Sequence, residues 1–293
     1  MKGQLNMEII KSILLGIVQG ITEFLPISSS GHLSLFQYFL GSTGEESLLL
    51  TVLLHIGTLL AVFIVFYKTI LEIFLECFKL VKDVLTGKFS FKNMSEARTM
   101  LFMFVISCVP LLVLLIPLPG DMRVMDKLKV FSTDNSILAE GVCFLLTAVL
   151  LIAGSWMAKN KLSERKISPK SALGIGIAQL VAAAFPGISR SGSTISTGLI
   201  FGLSREYMVK YSFILGIPAI LAANAVEIKD AISTGSELNP VAAIAGMITA
   251  AAVGVAAIKA IQFLLKKDMF KYFGYYCAAV GVFAIVVSFI EVL

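Results

Sequence analysis

Two short polar stretches interrupt a chain otherwise built from apolar runs. One is Gln19-Gly-Ile-Thr-Glu-Phe-Leu-Pro-Ile-Ser-Ser-Ser-Gly-His32. The other is Phe185-Pro-Gly-Ile-Ser-Arg-Ser-Gly-Ser-Thr194. Each carries helix-breaking Pro and Gly, a cluster of hydroxyls and at least one ionisable group. Irregular polar backbone at membrane depth survives only where protein buries it or where it lines a cavity. Ionisable side chains at that depth are functional candidates. These two segments therefore constrain both the fold and the location of the chemistry.

The membrane reading rests on composition and run length. The chain is 57% hydrophobic and 15% charged, with mean hydropathy +0.91, against roughly 25% charged residues in a soluble domain. Six apolar runs reach the ~20 residues that cross a bilayer: 47–67, 99–119, 136–158, 207–227, 240–264 and 270–292. The first apolar stretch runs straight into the polar motif without a small-residue cleavage site, unlike a signal peptide. The net charge of +5 comes from loops between runs, so it reads as membrane topology rather than a nucleic-acid surface. Cys77, Cys108, Cys143 and Cys277 are far apart and mostly in apolar runs, which suits small buried hydrophobes rather than a metal site or disulfides.

The interrupted segments span 8–41 and 171–203, each with a helical first arm, a Pro- and Ser-rich break and a short second arm. Neither arm is expected to cross comfortably, so both segments are expected to be re-entrant hairpins. The stretch 69–85 mixes Lys79, Lys82 and Asp83 with Leu, Ile and Phe and is expected at the membrane interface. The two segments resemble each other. Gly16, Ile17, Gln19 and Pro26 match Gly176, Ile177, Gln179 and Pro186. After one inserted residue, Ile27, Ser28, Ser30 and Gly31 match Ile188, Ser189, Ser191 and Gly192. The fold expected is therefore an all-α integral membrane protein, one membrane domain over 1–293, with six transmembrane helices plus two re-entrant helical hairpins. Its halves, about 8–158 and 171–292, would each hold one hairpin and three spans. Three is odd, so the second half would be inverted, with broken helices meeting near midplane. Loops 68–98, 159–170, 204–210 and 265–271 carry sixteen Lys and Arg, and the opposite side carries six. The richer side is expected to be cytoplasmic, which puts both termini outside.

Within the segments, Gln19 and Glu23 are four residues apart and share a helix face, with Ser12, Gly16 and Gly20 nearby to allow close backbone approach. A lone buried acid keeps its proton unless a cation or a guanidinium such as Arg190 lets it ionise. Ser28, Ser29, Ser30 and Gly31 form a hydroxyl- and amide-rich turn suited to phosphate oxygens, with His32 beside it to hold or pass a proton. A serine within reach of a base is a minimal nucleophile arrangement. The plainer reading is that the serines cap the second short helix. In the mirror element Ser189, Arg190, Ser191 and Gly192, the guanidinium fork suits phosphate or carboxylate. Its plainer reading is an ion pair with Glu23. His55 is the other histidine. It either joins two helices or faces the same cavity. One acid, one imidazole, one guanidinium and several hydroxyls suit a phosphorylated ligand with an apolar tail better than a metal held by carboxylates.

These residues resemble the undecaprenyl-pyrophosphate phosphatase family, known for conferring bacitracin resistance. The family's Glu/Gln-x-x-x-Glu element reads here from Gln19 to Glu23, its Pro-x-Ser-Ser-x-Gly-His segment from Pro26 to His32, and its Pro-Gly-x-Ser-Arg-Ser-Gly segment from Pro186 to Gly192. The resemblance covers essentially the whole chain. It implies hydrolysis of the terminal phosphate of a C55 polyprenyl pyrophosphate, returning the lipid carrier to cell-wall synthesis, in a bacterial plasma membrane. It implies a divalent cation, Mg²⁺ or Ca²⁺, held by Glu23 with help from Gln19. Ser29 and His32 would share nucleophile and proton transfer, and Arg190, Ser189 and Ser191 would hold the phosphates. Gln at position 19 leaves one fewer carboxylate than some members have, so the cation would be held largely by the pyrophosphate. The partners implied are the lipid substrate and membrane lipids, with a homodimer as an open assembly. The main rival is a polyprenyl-phosphate flippase, which would use the same architecture. A Ser/His pair favours the enzyme. An anion channel would want more basic groups in its pore. Lipid phosphatases of the vanadium-haloperoxidase type share the Ser-Gly-His fragment, but their Lys- and Arg-rich motif is missing from this sequence.

Overall fold

A computed structural model describes residues 2–39, 45–92, 94–119, 122–129, 137–159, 165–185, 187–234, 239–266 and 269–292. Pro186, one of the repeat and motif residues, lies outside the described residues, as do parts of the loops used for the charge count. The described chain is helical apart from one pair of two-residue strands. The helices are α1 (Lys2–Phe24), α2 (Ser29–Phe39), α3 (Glu45–Leu85), α4 (Glu96–Cys108), α5 (Val124–Lys129), α6 (Leu138–Lys159), α7 (Pro169–Ala184), α8 (Arg190–Ile200), α9 (Arg205–Thr234), α10 (Pro240–Lys266) and α11 (Phe270–Val292). Strands β1 (Pro117–Leu118) and β2 (Met122–Arg123) pair antiparallel.

Among the described residues, seven helical stretches are long and apolar enough to cross a bilayer, and the protein is a multi-pass membrane protein. Six correspond to the runs read from the sequence. The seventh corrects only the expected length of the first arm. The first arm, expected to be too short, is apolar over the 20 residues Leu5–Phe24. Glu8, Lys11 and Glu23 sit within it as isolated charged residues and do not end the apolar stretch. Its counterpart α7 is shorter, at 16 residues.

Two further boundaries differ from the apolar runs. The run 99–119 is not one helix. After α4 the chain tightens into a 3₁₀ helix, Val109–Leu115, with Pro110 in its first turn, and Ile116 is extended. Pro110 has no N–H to continue the α-helical ladder, and Pro117 drives Ile116 out of the helical region. The amphipathic stretch 69–85 follows directly on the span before it, without an intervening loop. It continues α3 past a kink at Phe66 (φ −107°, ψ 21°). Arg98 holds this extension against α4, its Nε donating to Glu76 at 2.6 Å and its Nη2 to Asp83 at 2.6 Å.

Small residues let the central helices touch. A Cβ on Gly16 would fall 2.5 Å from the Gly246 carbonyl oxygen, and one on Gly20 would fall 2.8 Å from that of Ala250. Helix α1 therefore lies backbone to backbone against α10, which also packs on α3. The remaining major pairings are α6 with α11 and α8, α7 with α8 and α4, and α3 with α9. The main core gathers Phe24, Phe144, Leu151, Ile175, Tyr211 and Phe213. Apolar side chains such as Leu14, Ile17, Val282 and Phe283 point outward, as a lipid-facing surface requires.

Candidate active site

The two polar segments meet. Helix α1 ends at Phe24, and the chain reverses through Leu25 to Ser28, whose φ of +71° is in the left-handed region. Helix α2 then begins at Ser29. Helix α7 ends at Ala184, the chain turns through Gly187 (φ +106°), and α8 begins at Arg190. The capping role holds for one serine in each turn. Ser28 Oγ accepts from the Gly31 N–H at 3.2 Å, and Ser189 Oγ accepts from the Gly192 N–H at 3.0 Å. The turns are also stitched to each other and to α6. Ser30 Oγ accepts from the Gly187 N–H at 3.1 Å, Ser191 Oγ donates to the Leu25 carbonyl at 3.4 Å, and the Ser189 N–H donates to Thr147 Oγ1 at 3.0 Å. Both α2 and α8 thus present their N-terminal ends near one place, where helix ends favour anions.

Glu23 is the centre of the arrangement. It is 6% exposed, and both carboxylate oxygens are engaged. Oε2 accepts from Gln19 Nε2 at 3.0 Å and from Ser29 Oγ at 2.7 Å, and Oε1 accepts from Arg190 Nη2 at 2.5 Å. Arg190 Nη1 donates onward to the Ser212 carbonyl at 3.2 Å. The ion pair read as the plainer role of Arg190 is therefore formed. Both partners also line a cavity of about 190 Å³, together with Ser29, Ser30, Ser189 and Ser191. Pairing with Glu23 and facing the cavity are not exclusive for a guanidinium with five donors.

The structure brings together Gln19, Glu23, Ser29, Ser30, Ser189, Arg190 and Ser191, while Ser28, Gly31 and Gly192 shape the turns around them. It does not join Ser29 to His32. The Ser29 hydroxyl donates to Glu23, so the base beside this serine is a carboxylate. Both nitrogens of His32 are taken: Nδ1 donates to the Ser28 carbonyl at 2.8 Å, and Nε2 lies 2.8 Å from the Tyr276 hydroxyl. Its ring stacks on Tyr276 and meets Phe144 edge-on. On α2 it stands three residues from Ser29, turned toward α11 and away from the cavity lining. The imidazole that does line the cavity is His55, whose Nδ1 donates to the Thr51 carbonyl at 3.0 Å.

A cation held by protein ligands alone does not fit these residues. Among the described residues no group of three or more His, Cys, Asp or Glu converges. The one carboxylate expected to bind it already meets a guanidinium, an amide and a hydroxyl.

Several contributors have no signature in the motifs. A Cβ on Gly216 would sit 2.7 Å from Arg190 Cζ, so only glycine leaves room for the guanidinium there. Tyr276 fixes His32 from 244 residues away. Asn224 and Glu227 on α9 line the cavity wall. Gly216 lies two residues before Pro218 in a run of small and apolar residues, and nothing local distinguishes it from a packing glycine.

Comparison with known proteins agrees on one family. Residues 12–283 match the family described as Bacitracin resistance protein BacA. A protein of Methanosphaera stadtmanae named undecaprenyl-diphosphatase is 35% identical over 96% of this chain and 99% of its own length. Proteins of the same name from Alkaliphilus metalliredigens and Halothermothrix orenii are 37% and 38% identical. These alignments cover 95% and 96% of this chain, and 98% and 99% of the relatives.

Proposed function

The chain belongs to the bacitracin resistance protein BacA family, and we propose that it is an undecaprenyl-diphosphatase whose working pair is Ser29 and Glu23. It removes the terminal phosphate of a C55 prenyl diphosphate and returns the monophosphate carrier to cell-wall synthesis. The observation that carries the reading is the 2.7 Å hydrogen bond from Ser29 Oγ to Glu23 Oε2 beside a cavity that also holds Arg190.

In the reaction, Ser29 Oγ forms a bond to the terminal phosphorus while the bond to the bridging oxygen breaks. The serine proton passes to Glu23, and the prenyl monophosphate leaves with the electron pair. Water then cleaves the phosphoserine, giving inorganic phosphate and restoring the hydroxyl. Phosphoryl transfer depends chiefly on positioning and charge stabilisation. Arg190, the Ser189 and Ser191 hydroxyls and the N-terminal ends of α2 and α8 supply these. His32 holds the Ser28 turn in place. A divalent cation enters this proposal with the diphosphate, as Mg²⁺ commonly does.

We read the broken pairs α1–α2 and α7–α8 as re-entrant hairpins in an inverted repeat, in the plasma membrane, with both termini outside. Three features support this. The order α1, α2, α3, α4, α6 repeats as α7, α8, α9, α10, α11. Gly16 packs against α10, and its match Gly176 packs against the corresponding helix α4, where a Cβ would fall 2.5 Å from the Ser107 carbonyl oxygen. Helices α3 and α9 pack on each other, as do α6 and α11, as expected of mates across a two-fold axis.

The test is phosphate release from a polyprenyl diphosphate by detergent-purified protein with Mg²⁺, with Ca²⁺ and with EDTA. Light scattering of the same sample separates monomer from homodimer. Release that disappears in Ser29→Ala and Glu23→Gln is expected, with ³²P from a terminally labelled substrate trapped on wild-type Ser29 in acid quench. Full activity in either variant would refute the assignment.

A further inference from the structure

The polar cavity does not end at the Glu23–Arg190 pair. A second, apolar cavity of about 140 Å³ adjoins it, lined by Leu114, Met125, Leu128 and Val226. The two share Ala183, Ala223 and Glu227 in their walls. One face of α9 forms this junction: Ala223 and Glu227 are one turn apart, with Asn224 beside the first. Asn224 is 4% exposed and lines the polar cavity, yet its Nδ2 has no hydrogen-bond partner. An amide in a membrane helix ordinarily bridges to another helix. An unmet buried N–H is costly, so an unpaired donor on a residue that lines a cavity is prepared for an acceptor that arrives with a ligand.

The chemistry at each end orients the substrate. Ser29 and Arg190 address the phosphate to be removed. The apolar cavity suits the first part of a hydrocarbon chain. Between them lies the phosphate that stays on the lipid. We propose that Asn224 is a substrate-binding residue for this prenyl-linked phosphate, its Nδ2–H donating to a phosphate oxygen where the head-group cavity opens onto the apolar one. The proposal rests on the diphosphatase reading and extends it to the part of the substrate that does not react. It also assigns a way out for the tail, between α7, α9, α5 and the 3₁₀ helix. Asn224 supplies an uncharged N–H donor on this face of α9, while the guanidinium of Arg190 balances charge from α8.

The experiment is calorimetric binding of farnesyl monophosphate and of inorganic phosphate to wild type, Asn224→Leu and Asn224→Ala in detergent. Farnesyl monophosphate carries only the prenyl-linked phosphate. Inorganic phosphate reports the Ser29–Arg190 end. Asn224→Ala also removes the N–H donors, but it is smaller and uncharged, which guards against a folding defect in Asn224→Leu. Losing one hydrogen bond to a charged oxygen is expected to raise the Kd for farnesyl monophosphate about ten- to a hundredfold. The Kd for inorganic phosphate is expected to stay unchanged. An unchanged farnesyl monophosphate Kd in both variants would overturn the proposal, and so would equal weakening of both ligands. Because binding is read without turnover, failure of the wild type to hydrolyse a prenyl diphosphate would count against the diphosphatase reading and leave this measurement valid.

Discussion

A single hydrogen bond, from Ser29 to Glu23, separates two accounts of the same motif. With His32 as the base, mutation of its neighbours would disturb proton transfer. With Glu23 as the base, His32 and Tyr276 fix a turn. Tyr276→Phe removes only the hydroxyl on His32 Nε2. It is expected to cost about 0.5–1.5 kcal/mol of stability and to leave the shape of the kcat–pH profile unchanged, as read by thermal unfolding and steady-state assays. A displaced profile would return His32 to the chemistry. Glu23→Gln keeps a hydrogen-bond acceptor beside Ser29 but removes the proton acceptor, so kcat is expected to fall about 10²- to 10⁴-fold. Gly216→Val tests a position no motif marks. Its side chain would overlap the guanidinium of Arg190, and the expected result is loss of phosphate release from a protein that still assembles in the membrane.

Elements were legible wherever the signal was local. The i, i+4 spacing of Gln19 and Glu23, the prolines and serines of the two turns and the close approach at Gly16 and Gly20 all depend on a few neighbouring residues. Apart from Pro186, which lies outside the described residues, the structure places each of these as the sequence implies. What the sequence hid depends on distance or on continuity. Helix α3 continues past the apparent boundary at 68, across a kink at Phe66, because Lys68 breaks hydrophobicity without excluding helix. Conversely, the apolar run 99–119 looked like one span because hydrophobicity persists across Pro110, although the helix does not. The glycine pattern gives an element-scale prediction. Gly16→Leu and Gly176→Leu would each place a branched side chain against a facing backbone, at α10 and at α4. Each is expected to lower stability by about 1–3 kcal/mol, the usual cost of overpacking, as read by thermal unfolding in detergent. A neutral result at either position would show that the helix pair can separate without penalty.

At the scale of the whole molecule, the proposed inverted repeat would give two halves that differ in chemistry while sharing a plan. On the repeat register, Glu23 corresponds to Ala183, Ser29 to Arg190 and His32 to Ser193. On the proposed mechanism the first half supplies the acid Glu23 and the nucleophile Ser29, and the second supplies the guanidinium of Arg190. The buried Glu23–Arg190 pair is thus also a bond between halves, reaching across 167 residues of sequence. Breaking a buried pair from one side leaves the other charge uncompensated, at a cost of about 3–5 kcal/mol. Removing both should cost less than the sum of the two losses. Glu23→Gln and Arg190→Gln are each expected to destabilise the folded protein strongly, and the double variant is expected to recover about 0.5–3 kcal/mol relative to additivity. All three should lack phosphatase activity. Reversible unfolding of the four proteins under one detergent condition measures this coupling. Additive losses would mean that the carboxylate and guanidinium act as separate binding groups. Recovery in a protein that remains inactive would show that the contact organising the site also holds the two halves together.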